Sequence, residues 1–195
     1  MARQIGVLFA ALYRKVDAYP FEPSGGLRQR AMIASALACN AKVLFADEPT
    51  TALDVMIQAQ VLEFLRRIQE ALVLAIVLVT HDLGVVAEVC DSVVVMYGGK
   101  VAEWGTADEI YNRALHPYTQ RLLAAFPNID QPSDHLASIP GTPPRLTELP
   151  RGCRFAPRCE IKVAACSEID PPHKQPAPEH IVACHLCRGK AANPP

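Results

Sequence analysis

Val43-Leu44-Phe45-Ala46-Asp47-Glu48-Pro49 is a short apolar run closed by two acids and a proline. Such a run, bounded by turn formers, reads as a buried strand. Carboxylates at the end of a buried strand stand where α/β sheets present groups to ligands. The neighbouring segments repeat the pattern. Upstream, a helix opens at Ser24 and runs to about Cys39, with Leu27, Ala31, Ala34 and Leu37 on one face. Downstream, Asp54 caps a helix from Val55 to about Glu70. Ala75–Val79 is a second strand, Leu83–Val89 a short helix and Ser92–Tyr97 a third strand. Gly98-Gly99 signals a hairpin into Val101–Trp104, and Thr106 with Glu109 forms a capping box that opens a helix to about Arg113. A further short helix is expected from Ile5 to about Val16, before a turn at Pro20–Pro23. Apolar strands separated by helices predict an α/β fold whose sheet is mostly parallel and flanked by helices on both faces.

The composition agrees. The chain has 195 residues, is 50% hydrophobic and 20% charged, and carries a net charge of −1. That balance excludes a disordered chain and offers no electrostatic footprint for nucleic acid. The apolar run from Ala71 to Val79 is too short to span a bilayer. No basic stretch followed by an apolar one opens the sequence, so the expectation is a chain without a signal peptide. Of 17 prolines, only Pro20, Pro23, Pro49 and Pro117 precede Phe126. The remainder of the chain therefore reads as loops and short helices, held by something other than a large core.

Four features carry chemistry. Ser24-Gly25-Gly26 stands at a helix start, where close backbone approach and partial positive charge suit a terminal phosphate. Taken alone, it reads as an ordinary Ser cap after a turn. Asp47 is suited to hold a Mg²⁺-bound water and Glu48 to polarise an attacking water. Thr51-Ala52-Leu53-Asp54 forms a loop beside them. His81, in Thr80-His81-Asp82, follows the next strand and would meet Asp47 and Glu48 if the two strands are neighbours. Each has a bland alternative, but their order and spacing do not.

These residues resemble the ABC-transporter ATPase family. Ser24-Gly25-Gly26-Leu27-Arg28-Gln29-Arg30 is similar to its signature motif, and Leu44-Phe45-Ala46-Asp47-Glu48 to its Walker B. Thr51-Ala52-Leu53-Asp54 resembles the D-loop and His81 the switch histidine. His116-Pro117-Tyr118-Thr119, Leu122-Leu123-Ala124-Ala125 and Ile139-Pro140-Gly141-Thr142-Pro143-Pro144 look like the C-terminal extension of oligopeptide and dipeptide importer ATPases. The resemblance implies that Glu48 is the catalytic base, that His81 senses the γ-phosphate and that Asp47 binds Mg²⁺ through water. It implies that Ser24, Gly25 and Gly26 contact ATP held by an opposite subunit, and that Asp54 crosses the dimer interface.

It further implies three kinds of partner: a second ATPase subunit, two transmembrane permease subunits and, indirectly, an extracytoplasmic peptide-binding protein. The location implied is the cytoplasmic face of the inner membrane. Residues 1–113 are then a partial ATPase domain and residues 114–195 the importer extension. A phosphate-cradling Gly-x4-Gly-Lys-[Ser/Thr] is not in the sequence, since Gly99-Lys100 and Gly189-Lys190 lack its spacing. The expectation is an N-terminally truncated ATPase, inactive alone, whose sheet exposes an apolar edge and face. The alternative is a non-catalytic metal-binding or interaction fragment.

Cys153-x5-Cys159-x6-Cys166-x17-Cys184 is the second carrier of chemistry. Four thiolates in a proline-rich segment suit zinc or an iron–sulfur cluster, and spacing alone does not decide. The resemblance favours a [4Fe–4S] cluster on these four. Cys187 is an additional thiol, and Cys184-x2-Cys187 keeps zinc as a rival.

Overall fold

The computed structural model describes residues 24–125 and 138–192. The helix expected over residues 5–16 and the turn at Pro20–Pro23 lie outside the described residues. The chain divides into two compact units, Met1–Asp82 and Leu83–Pro195. The boundary thus falls within the 1–113 segment that the motifs group together.

The first unit contains α1 (Gly25–Leu37), β1 (Val43–Asp47), α2 (Val55–Leu72) and β2 (Ala75–Val79). β1 and β2 pair in parallel, Val43 opposite Ala75 and Asp47 opposite Val79. Asp54 caps α2 as expected, its Oδ1 accepting the Ile57 N–H at 2.9 Å. The helix ends at Val73, which takes a left-handed φ of 51°. Ile33 of α1, Val61, Leu65 and Ile68 of α2, and Leu44 of β1 are buried together with Leu74. The two helices meet closely at their N-terminal ends. A Cβ on Gly26 would stand 2.6 Å from Ile57 Cγ2, so only glycine lets α1 approach α2 there.

Because strand residues alternate, burying Leu44 turns its neighbours outward. Val43, Phe45, Val77 and Val79 are exposed, Phe45 at 72%. The expectation of helices on both faces is corrected here: among the described residues, one face of this sheet is covered and the other is apolar and open.

The second unit opens with α3 (Leu83–Val89) and the hairpin of β3 (Ser92–Tyr97) and β4 (Lys100–Thr106). Gly98 and Gly99 both take positive φ, 57° and 83°, which the tight reversal requires. α4 (Ala107–Arg113) starts as the capping box predicts, with Thr106 Oγ1 accepting the Glu109 N–H at 3.2 Å. α5 (Pro117–Ala124) is capped by His116, whose Nδ1 accepts the Tyr118 N–H at 3.0 Å.

A 3₁₀ turn (Ala156–Arg158) and α6 (Ala165–Glu168) come next, then β5 (His173–Ala177), β6 (His180–Ala183) and β7 (Lys190–Ala191). The five strands form one sheet in the order β3-β4-β6-β5-β7, with every pairing antiparallel. A mostly parallel sheet is therefore corrected in extent: among the described residues, parallel pairing is confined to β1 and β2. The two-glycine turn reverses the chain after β3, and β6 then adds to the free edge of β4.

The proline-rich region holds more regular structure than its composition suggests. All four residues of β6 are buried. Tyr97, Ala102 and Phe155 form a core with Tyr118, Ile139, Cys153 and Cys159 packed around it. The Tyr97 and Phe155 rings meet edge to face at 5.2 Å. Arg158 donates to the carbonyls of Pro140 (2.7 Å) and Ile139 (2.8 Å), tying the Ile139–Pro144 segment to the 3₁₀ turn. No helix among the described residues is long and apolar enough to cross a membrane.

Candidate functional site

Parallel pairing of β1 and β2 ends both strands at the same level, and the chain leaves each into a polar turn. Glu48 comes directly after β1, and His81 lies two residues beyond β2. The Glu48 N–H donates to Val79 O at 2.8 Å, which extends the register past the strand and pins the backbone of Glu48 to β2. Glu48 takes a left-handed φ of 47°, a conformation that L side chains rarely adopt. Two side-chain contacts hold it there. Glu48 Oε1 and His81 Nδ1 stand 2.8 Å apart, and Glu48 Oε2 accepts the Thr51 hydroxyl at 2.8 Å.

These contacts set the electrostatics. The hydrogen bonds from His81 and then Thr51 hold the Glu48 carboxyl below its ordinary range. The same bond to Glu48 raises the His81 imidazole above its own. The pair is a carboxylate and an imidazole sharing one proton in an open, solvated position. It can accept a proton from water or stabilise one on the ring. Below it, the Asp82 N–H donates to Thr80 Oγ1 at 3.1 Å, and Gln58 Nε2 donates to Asp82 Oδ2 at 3.2 Å, fixing the turn that carries His81.

The other expected residues lie around this pair or on the neighbouring helix starts. Asp47 is exposed at the end of β1, one position from Glu48. Its oxygens are hard donors of the kind Mg²⁺ takes, so the residue type and position fit that ion. Ser24 caps α1 through its backbone, with its carbonyl receiving the Leu27 and Arg28 N–H groups at 3.0 Å, while its hydroxyl makes no capping bond. Gly25 and Gly26 pack on Leu53 and Ile57. Asp54 spends one oxygen on its helix cap. Thr51 reads in the sequence only as part of a loop motif; its bond to Glu48 depends on the backbone turn at Glu48, which spacing does not reveal.

In the second unit the cysteines are all free thiols. Cys166 and Cys184 are buried, Cys153 and Cys159 half-buried. The Cys153 N–H donates to Cys166 O at 2.9 Å, so two of the four segments touch directly. Burial pushes the Cys153 and Cys159 thiols up. Cys184 differs. Its sulfur receives the Cys187 thiol and the N–H groups of Leu186 and Cys187, and against burial these bring it down to about 6. Cys187, the hydrogen-bond donor, is raised.

The four expected ligands do not form a ligand shell. Among the described residues no group of three or more His, Cys, Asp or Glu side chains is arranged to hold a metal ion.

A third constellation was not visible in the sequence. Glu103, fully buried on β4, accepts the Leu115 N–H at 2.6 Å, the His116 N–H at 3.1 Å and His180 Nε2 at 2.8 Å. His180 Nδ1 faces Glu109 at 3.1 Å. This network locks β4, α4, β6 and the start of α5 together.

Comparison with known proteins places the chain. The family model described as ABC transporter matches residues 4–51, which include Ser24-Gly25-Gly26 and Asp47-Glu48. The chain belongs to the ATP-binding proteins of ABC transporters. A second model, the oligopeptide/dipeptide transporter C-terminal region, matches residues 102–166. Within the class, the chain therefore belongs with the ATP-binding subunits of oligopeptide and dipeptide transporters.

Over 153 residues it is 50% identical to the oligopeptide transport ATP-binding protein OppD of Haemophilus influenzae, covering 78% of this chain and 47% of that protein. Over 172 residues it is 48% identical to the dipeptide transport ATP-binding protein DppD of Bacillus subtilis, covering 88% and 51%. The chain thus spans about half the length of these relatives. Among solved structures, cbiO1 of Clostridium perfringens, part of the ABC transporter complex cbiONQ, matches with a TM-score of 0.48 and 33% identity over 57% of this chain and 45% of that one.

Proposed function

We propose that this chain contributes the Walker B, D-loop, switch-histidine and signature elements of an ATP-hydrolysing subunit that energises peptide import. The observation that carries the reading is the 2.8 Å contact between Glu48 and His81 at the ends of two parallel strands. Glu48 is the base that takes a proton from the attacking water, and His81 holds that carboxylate in place and faces the γ-phosphate. Asp47 holds the Mg²⁺ that travels with ATP, through water; the ion supplies charge neutralisation at the phosphates. Ser24, Gly25 and Gly26 meet the γ-phosphate of ATP carried by a second ATPase subunit, with Asp54 at the junction. Residues 1–113 serve the nucleotide and residues 114–195 form the importer extension. The remaining partners are two permease subunits in the inner membrane, with the chain peripheral on its cytoplasmic face, and a peptide-binding protein beyond it.

The experiment is a chimera in which this segment replaces the corresponding half of a full-length relative. Hydrolysis of MgATP is expected, and Glu48→Gln abolishes it while nucleotide binding persists. A Glu48→Gln chimera that turns over ATP at the parental rate overturns the assignment.

The cysteine spacing and the family resemblance support a tetrathiolate site on Cys153, Cys159, Cys166 and Cys184, holding a [4Fe–4S] cluster or zinc. Anaerobic purification followed by iron, sulfide and zinc analysis decides between the cluster, zinc and neither.

A further inference from the structure

Thr51 is exposed on the turn between β1 and α2, where water could satisfy its hydroxyl at no cost. The hydroxyl is turned onto Glu48 instead and donates to Oε2 at 2.8 Å. The backbone prepares this contact. The Thr51 N–H donates to Glu48 O at 3.2 Å and the Leu53 N–H to Thr50 O at 3.3 Å, so residues 48–53 form consecutive tight turns. Glu48 and Ala52 take left-handed φ values of 47° and 59° within them, and Thr50, the neighbour of Thr51, is buried. Asp54 supplies the side-chain cap of α2, so the Thr51 hydroxyl is not needed to start that helix.

The second contact of Glu48 explains what the hydroxyl adds. His81 Nδ1 meets Oε1 at 2.8 Å. With that bond alone the carboxylate still turns about its last torsion, which is broad for glutamate. A donor on the other oxygen fixes the carboxylate plane. Each oxygen offers two lone-pair directions, so His81 and Thr51 together leave one on each oxygen for a water.

We propose that Thr51 is a positioning residue, which holds the Glu48 carboxylate in the plane from which it meets the attacking water. It acts through Glu48 and keeps its own proton throughout. This inference rests on the reading of Glu48 as the base.

The test compares Thr51→Val, which keeps the branched shape and loses the donor, with Thr51→Ser, which keeps the donor and loses a methyl group. Both substitutions lie on an exposed side chain, and urea midpoints matching the unsubstituted chain are expected. In the chain alone, without nucleotide, the NMR order parameter of Glu48 Cγ is expected to fall in Thr51→Val and to hold in Thr51→Ser. In the chimera with a full-length relative, Thr51→Val is expected to lower kcat about tenfold with KM for MgATP unchanged. Thr51→Ser is expected to recover most of that loss, its less restricted χ1 leaving the remainder.

The proposal is overturned if Glu48 stays equally ordered in Thr51→Val, if that chimera keeps the parental kcat, or if Thr51→Ser is as slow as Thr51→Val. A raised KM with kcat unchanged also overturns it, because the loss then lies in nucleotide binding. A parental rate in Glu48→Gln overturns the ATP-site reading instead, and the Glu48 order parameter still decides whether Thr51 holds the carboxylate.

Discussion

Glu48 and His81 are 33 residues apart in sequence, yet Oε1 and Nδ1 stand at 2.8 Å because β1 and β2 run in parallel and end together. Each group alters the other in a fixed direction, and the consequence is measurable without ATP. The His81 imidazole is raised above its ordinary 6.5 and the Glu48 carboxyl lowered below 4.5, chiefly by their shared hydrogen bond. The raised imidazole contributes stability below pH 6.5 that is lost as pH rises through its folded value. The lowered carboxyl contributes above pH 4.5 and is lost as pH falls through its own folded value. The ion pair is thus at full strength between those ordinary values. An NMR titration of the His81 ring is expected to give a midpoint above that of an exposed histidine, and Glu48→Gln to bring it back. An unchanged midpoint in Glu48→Gln would show that the contact is not formed in solution.

Gly26 answers to packing as well as to any phosphate. Its missing Cβ leaves room for Ile57 Cγ2, which would otherwise be 2.6 Å away. Gly26→Ala is expected to destabilise the chain by about 1–3 kcal/mol through overpacking. Ile57→Ala removes the obstructing side chain, so the two substitutions together are expected to cost less than their sum. Urea unfolding of the four proteins in this cycle checks it; strict additivity would mean that α1 and α2 do not meet here.

Glu103 holds three donors from a position with no exposure. Glu103→Ala strands two backbone N–H groups and the His180 ring, and a loss of roughly 3–5 kcal/mol is expected. Glu103→Gln keeps one acceptor oxygen and is expected to fall between that and the unsubstituted chain. Denaturant midpoints order the three. If Glu103→Gln matches the unsubstituted chain, the carboxylate is not what joins β4, β6 and α5.

His116 accepts a backbone N–H through Nδ1, a role only the neutral ring can fill, and burial depresses it from 6.5 to about 4. The unfolded chain takes up this proton near pH 6.5, the folded chain only near 4. Stability from neutral His116 is therefore complete above pH 6.5 and drains as pH falls toward 4, by on the order of 3 kcal/mol in total. His116→Asn keeps a capping acceptor without a titrating ring. Its stability is expected to fall less steeply between pH 7 and pH 4, read from urea melts at several pH values. Parallel curves for the two proteins would place His116 in contact with solvent.

Much of this protein is local, and local structure is what a sequence specifies best. Asp54 before an apolar helical run, Thr106 three residues before Glu109, and two glycines between apolar strands each determine an element boundary through contacts within a few residues. The bounds of β2, α3 and β3 were legible for that reason, as were the chemical identities of Asp47, Glu48 and His81. Tertiary structure decided the rest. Glu103 and His180 lie 77 residues apart, and nothing near either one announces the other. Whether β4 offers its free edge to a later strand depends on which edge remains unpaired after folding, so the antiparallel sheet and the buried β6 were not readable from proline content. Residue chemistry is written along the chain, whereas pairing is set by which surfaces remain to be buried.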